Sequence, residues 1–324
     1  MTLARVFTMA YEDYGSQEQE LEGFDAAYSE QELKDLVRVG EIARKAREHA
    51  KTVAKPGVSF LEVAEKLEQF IRSEGKADSA KPAFPVNLGA GNNAAHYTPT
   101  ADDSTVVGEK DLLKIDLGVR MDGICSDTAI TIDFSGENGK LVEAAQQALQ
   151  NALSVMKAGV NVKDVGAEIE RTITSKGFKP IENLCGHSIE PFLLHAGLEI
   201  PNVERGGYEL QEGDVFAVEP FASTGDGRVR EAGEVCEIFS LSEVRPVRMP
   251  ASRRLLEMIA DEYKTLPFAK RWLAEIPGAQ LAINDLSKHG MLHAYPLLRE
   301  KPGALVSQDE TVVIIEKDSV KVLV

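Results

Sequence analysis

The chain has 324 residues, enough for one large or two smaller domains, and 43% of them are hydrophobic, enough for a sizeable core. Acidic side chains outnumber basic ones 52 to 36, a formal net charge of −16 that argues against unspecific nucleic-acid binding. No apolar run approaches the ~20 residues of a membrane span, and the amino terminus lacks the basic-then-apolar order of a signal peptide. Three cysteines, Cys125, Cys185 and Cys236, cannot form a disulfide framework and lack zinc spacing, so a reducing cytoplasm is the expected setting.

Residues 1–28 read as a flexible acidic leader, with Glu18, Glu20, Glu22 and Asp25 but no helical periodicity. Residues 29–324 read as the folded domain. Ser29 followed by Glu32 is a capping box and opens a long helix to about Ala54, ended by Pro56-Gly57. Ser59 and Glu62 repeat the device before a helix from Phe60 to about Ser73, closed by Gly75. The proline-bounded stretch Pro82-Ala83-Phe84-Pro85-Val86-Asn87-Leu88 is extended, and the polar loop after it carries His96.

Asp116 follows an apolar run, and Asp127 opens the alternating stretch Thr128-Ala129-Ile130-Thr131-Ile132-Asp133-Phe134. Met121-Asp122-Gly123 between them is a tight turn. The two aspartates therefore stand on neighbouring antiparallel strands, where both carboxylates can face one point. Such a pair is either a polar edge or a cation site, because unpaired buried carboxylates are costly.

Helices are predicted over 139–157 and about 162–175, closed by Gly159 and Gly177. Leu184-Cys185-Gly186-His187 ends a short strand before a loop with His195, and a strand over 214–218 delivers Glu219. The region 250–290 reads as three helices, over 252–263, 268–275 and 279–289, within an insertion of about 245–297 in a strand-rich core. Strands over 305–308, 312–315 and 320–324 close the chain, with Glu310 just before the middle one.

Asp116, Asp127, His187, Glu219 and Glu310 thus each lie on or beside a predicted strand. Four carboxylates and one imidazole suit two divalent ions of the Mn, Fe, Co or Zn type, and two such ions can activate one water for hydrolysis.

These residues fall in motifs. Pro82-Ala83-Phe84-Pro85-Val86-Asn87, Ala95-His96-Tyr97-Thr98-Pro99, Lys114-Ile115-Asp116, Ser126-Asp127-Thr128-Ala129, Asn183-Leu184-Cys185-Gly186-His187, His195-Ala196-Gly197 and Glu219-Pro220-Phe221 resemble the methionine aminopeptidases of the second type, the archaeal and eukaryotic cytosolic form. Leu266-Pro267-Phe268-Ala269 and Ala294-Tyr295-Pro296 mark the second type against the first, and the resemblance runs from about residue 31 to the end.

The resemblance implies an α+β pita-bread fold: a curved antiparallel sheet, two halves related by a pseudo-two-fold axis, and a small helical subdomain inserted. It implies removal of the initiator methionine before a small second residue. Asp116 would chelate one metal, Asp127 and Glu310 would bridge both, and His187 and Glu219 would complete the other shell. Glu219 would shuttle the proton, His195 would bond the substrate carbonyl, and His96 would contact the scissile amide nitrogen. Phe84, Leu194, Phe221 and Tyr295 would line the methionine pocket, although ordinary core packing accounts for Leu194 nearly as well. The implied partners are peptide and nascent-chain amino termini, with the ribosome nearby. A monomer with no direct nucleic-acid or membrane contact is expected. Two rivals share the fold. A proline-specific peptidase usually carries a large domain before the metal core, whereas only about 80 residues precede Pro82 here. A non-catalytic ribosome- or nucleic-acid-associated relative would have lost ligands that are all present.

One departure stands out. Relatives usually read Gln-Phe-Glu-His-Thr around the last ligand, and this chain reads Gln308-Asp309-Glu310-Thr311-Val312. Alternation in a strand puts Glu310 and Val312 on the metal side and Asp309 and Thr311 on the other. Val312 is then expected to remove a hydrogen bond from the metal surroundings and weaken metal binding, and Asp309 to be near-neutral.

Overall fold

A computed structural model describes residues 28–233 and 236–324, so all but the last residue of the expected leader lies outside the described residues. Helices α1 (Glu30–Val53) and α2 (Phe60–Glu74) open the described chain. Ser29 caps α1 through the expected box, accepting from Glu32 N while the Glu32 carboxylate accepts from Ser29 N. Ser59 caps α2 through Glu62 N. Gly75 ends α2 at φ −91°, so it supplies space and not a left-handed turn: a Cβ there would stand 2.3 Å from that of Ala80.

Strands β1 (Lys81–Pro82), β2 (Asn87–Ala90) and β3 (Asn93–Ala95) precede a long hairpin of β4 (Leu112–Met121) and β5 (Ile124–Asp133). Asp122 and Gly123 turn it with φ of +42° and +91°, the double positive φ of a tight type I′ turn. Helices α3 (Gly139–Val155) and α4 (Val162–Ser175) follow. Next come β6 (Lys179–Pro180), β7 (Cys185–Ser188), β8 (Glu199–Pro201), β9 (Val215–Val218), β10 (Phe221–Ser223) and β11 (Arg230–Glu231). After β12 (Ile238–Leu241) the chain forms α5 (Pro250–Glu262), β13 (Phe268–Ala269), a 3-10 turn (Lys270–Leu273), α6 (Ala279–Lys288) and β14 (Leu292–Tyr295). It closes through β15 (Leu298–Arg299), β16 (Val306–Gln308), β17 (Thr311–Ile315) and β18 (Val320–Val322).

The architecture is α+β in two halves. In the first, β4 pairs with β1, β2 and β5, all antiparallel, and α1 and α2 cover the sheet. Leu36, Val39 and Leu67 of the helices join Ile115, Val119 and Cys125 of the strands in one apolar cluster. In the second, the antiparallel sheet β18-β17-β9-β7-β8 is covered by α3 and α4, where Leu141, Ala148 and Ile169 meet Phe216, Val218 and Val313. Side chains alternate along β17: Val312 and Ile314 enter the first cluster, Val313 and Ile315 the second. A hydrogen bond from Glu310 N to Ala129 O (3.1 Å) joins the halves.

A third cluster holds Phe239, Leu255, Ile259, Phe268, Ile283 and Leu286 beneath α5 and α6. Here the expectation of a helix over 268–275 is wrong. Phe268 and Ala269 form β13, paired with Phe239 and Ile238, and only a 3-10 turn follows. A helix of that length is marginal by itself, and burying the Phe268 ring against β12 decides the local structure. Among the described residues, no helix is long and apolar enough to cross a membrane.

Candidate metal centre

The hairpin brings the first two acids together. Asp116 faces Ala129 across the ladder and Asp127 faces Gly118, so both carboxylates lie on one face, offset diagonally. Gly118 makes room on that face for the Phe84 ring: a Cβ there would come within 2.4 Å of it. His187 near the end of β7 pairs with Ala217 of β9, and Glu219 stands just beyond β9. Glu310 sits in the link between β16 and β17.

These elements converge. His187 Nε2 is 3.6 Å from Asp127 Oδ2 and 3.7 Å from Glu219 Oε1. Asp127, His187 and Glu310 each offer a ligand atom within 4.8 Å of the others, and all three are buried. Gln308, buried at the end of β16, donates its amide to Glu219 Oε2 (3.1 Å) and Glu310 Oε2 (3.3 Å). Lys114, on the Asp116 face of β4, gives its ammonium to the carbonyls of Gly89 and Asn93 at 3.2 and 2.5 Å.

Burial pushes the carboxyls of Asp116, Glu219 and Glu310 well above the usual range, and the charge of Asp127 pushes all three further. Asp116 Oδ1, Asp127 Oδ1 and His187 Nδ1 are buried with no hydrogen-bond partner among the described residues. Crowded acids with idle oxygens are stable as anions only around a cation. The donor set of carboxylate oxygens and one imidazole is the kind that holds Mn, Fe, Co or Zn. The residues fit a divalent metal.

The acids line a cavity of about 350 Å³. His96 and His195 also line it. His96 follows β3 with a left-handed φ of +64° and holds its Nδ1 3.0 Å from Pro296 O. The His195 ring centre is 4.2 Å from that of His187. Burial lowers the pKa of both, His195 strongly, so both imidazoles are neutral at pH 7. Apolar side chains complete the lining, among them Phe84, Leu194, Phe221 and Tyr295. Leu194 is also part of the first cluster, so it both packs and lines.

Every sequence-predicted site residue borders this one cavity. Sequence reasoning missed Ile238, Pro267, Ala95, Leu184 and Leu198 in the apolar lining; Pro267, Ala95 and Leu184 lay within quoted motifs, while nothing around Ile238 marked it. Val312 shares the Glu310 side as expected, but it is fully buried in the apolar cluster with Ala217 and Ile314 and does not border the cavity.

The profile of metallopeptidase family M24 matches residues 34–240. The methionine aminopeptidase of Pyrococcus horikoshii is 52% identical over 292 residues, 89% of this chain and 97% of that one. The chain belongs to the methionine aminopeptidase family. Its fold extends to distant members: the methionine aminopeptidase of Thermotoga maritima superposes with a TM-score of 0.65 at 21% identity, covering 92% and 98% of the two chains. A thermophilic Arx1 does so with a TM-score of 0.81 at 18% identity, covering 91% of each. At those identities the likeness concerns the pita-bread fold alone.

Proposed function

We propose that the protein removes the amino-terminal methionine from proteins and peptides whose second residue is small, by hydrolysis at a pair of divalent ions. The observation that carries this reading is one cavity lined both by crowded acids, two of them with idle oxygens, and by a set of apolar side chains. Asp116, Asp127, His187, Glu219 and Glu310 would hold the metals. Bound divalent ions make water nucleophilic at neutral pH and polarise a carbonyl.

The protein's own residues do the rest. Glu219 takes the proton of the attacking water and delivers it to the leaving amine nitrogen as the C–N bond breaks. His96 is neutral, and its Nδ1 must carry the proton it gives to Pro296 O, which leaves Nε2 as an acceptor for the scissile N–H. His195, neutral beside His187, donates to the substrate carbonyl oxygen. Phe84, Leu194, Phe221 and Tyr295 surround an unbranched thioether and offer no partner for a charge. The segment over about 245–297 acts as an inserted helical subdomain that closes this slot. We place the enzyme in the cytoplasm as a monomer acting on chain ends near the ribosome, in accord with its three free cysteines.

The test is methionine release from Met-Ala-Ser and Met-Gly peptides with added Mn2+, Co2+, Fe2+ or Zn2+ and after chelation, beside Met-Lys and proline-containing dipeptides. Metal-dependent release from the first two and collapse on Met-Lys is expected. Comparable rates on Met-Lys and Met-Ala would refute the specificity, and faster cleavage of the proline dipeptides would favour the rival peptidase.

A further inference from the structure

Behind the acids, on the side away from the cavity, α1 supplies a cation. Arg47 is mostly buried and forms an ion pair with Asp309 through one guanidinium nitrogen. Its other terminal nitrogen donates to Thr128 Oγ1 at 2.9 Å and to the Glu310 carbonyl at 2.7 Å. The Thr128 hydroxyl donates a hydrogen bond to the same carbonyl at 2.8 Å. Thr128 follows Asp127, and Asp309 precedes Glu310. One side chain therefore spans the two backbone segments that carry Asp127 and Glu310. Those segments come from different halves of the molecule and also meet through Glu310 N and Ala129 O, and through Thr131, whose hydroxyl donates to Gln308 O at 2.7 Å and accepts from Gln308 N at 2.9 Å.

Asp309 lies in the link between β16 and β17, where it is buried against Arg47 and not open to water. A guanidinium buried this far is held in one pose only while its carboxylate partner is present.

We propose that Arg47 and Asp309 are positioning residues, a charged clamp that fixes the spacing of Asp127 and Glu310 and thereby sets metal affinity. The proposal rests on the reading of those two acids as ligands. It opposes the expectation that Asp309 is neutral. It also makes a prediction that simple charge does not. Near a dication, loss of the Arg47 charge would by Coulomb attraction tighten metal binding, and loss of the Asp309 charge would weaken it. A clamp fails when either half is removed.

The experiment is calorimetric titration of Mn2+ into the metal-free protein for the parent, Asp309→Asn, Arg47→Met, the double variant and Asp127→Asn. Outer hydrogen-bond partners typically govern metal affinity by ~10–100-fold, so each clamp variant should bind roughly tenfold more weakly. The double variant should be no weaker than the weaker single one, because the two act as a unit. At saturating Mn2+, kcat should fall in both while KM for Met-Ala-Ser stays within twofold. Mn2+ binding by Arg47→Met as tight as the parent's or tighter, or an Asp309→Asn affinity within twofold of the parent's, would overturn the clamp. Asp309→Asn preserves shape and decides the matter if Arg47→Met does not fold. Undiminished binding by Asp127→Asn would instead overturn the ligand assignment itself.

Discussion

The two walls of the cavity are built differently. The charged wall comes from strands and strand ends of both halves, where ladder hydrogen bonds leave each side chain little freedom: Asp116 and Asp127 on β4 and β5, His187 on β7, Glu219 after β9 and Glu310 before β17. The apolar wall owes Ile238, Pro267 and Tyr295 to the stretch that carries the third cluster, with its own small sheet and two helices. That stretch is fastened to the rest by polar pairs. Arg271 forms a buried ion pair with Glu68 of α2 and donates to Thr98 Oγ1 at 2.6 Å, and Trp272 Nε1 donates to Glu68 Oε2 at 2.8 Å. Arg120 of β4 reaches Glu262 at the end of α5 at 3.0 Å. Charge that must converge within a few ångströms is carried by strands and strand ends, whereas part of the lining that fits an apolar side chain comes from a separately packed unit.

That contrast can be broken from either side. The largest effect should come from the charged wall. Asp127→Asn removes charge from the carboxylate that burdens three others, so turnover of Met-Ala-Ser should fall by more than roughly 100-fold, beyond the loss of an outer-shell contact. The metal-free variant should melt no lower than the parent, since repulsion is relieved; near-normal methionine release would show the centre to be misplaced.

The fastening should matter for stability. Glu68→Ala leaves Arg271 buried without its anion, and breaking such a pair costs about 3–5 kcal/mol. Chemical denaturation should show this loss with Mn2+ affinity within twofold of the parent. Equal weakening of metal binding would mean that the walls are not separable.

The charged wall should also reveal itself through pH. Asp116, Glu219 and Glu310 hold protons more tightly in the folded metal-free protein than in the unfolded chain, where glutamate has its ordinary 4.5. The folded state then binds more protons, so stability is highest below the ordinary value and declines as pH rises through the raised ones. The melting temperature of chelator-treated protein, corrected for its other acids by comparison with the Asp127→Asn variant, should drop from pH 5 upward. Added Mn2+ should remove or reverse that drop. A metal-free profile that rises in parallel with the metal-loaded one would contradict the crowding.

The smallest effect belongs to Val312. Its position inside the apolar cluster replaces the expectation drawn from the family motif. Val312→Thr should bury a hydroxyl among Ala217 and Ile314 and cost about 1–3 kcal/mol in denaturation. Calorimetric Mn2+ affinity should not improve. A tenfold gain would restore the idea that valine removes a bond from the metal surroundings.

Much of this was legible in the residues. N-cap serines, the first within a full capping box, placed α1 and α2 to within a residue or two, and the Asp122-Gly123 turn set the register that puts Asp116 and Asp127 on one face. Both signals are local, since caps and type I′ turns act over two to four residues. Motif resemblance identified the family and all the residues around the cavity that it named. The helix expected over 268–275 failed because a short segment takes its structure from what it pairs with, here β12.

Local patterning and motif chemistry thus determined the element types, the hairpin and the identity of the acids. The tertiary structure decided what surrounds them. Ile238 joined the pocket because β12 pairs with β13 and β14, Gln308 became the bridge between Glu219 and Glu310, and Asp309, read from its strand as a bystander, met Arg47 from 262 positions away. Such contacts depend on how two halves pack, and no pattern of period two or 3.6 along one chain encodes which distant side chain will lie behind a strand.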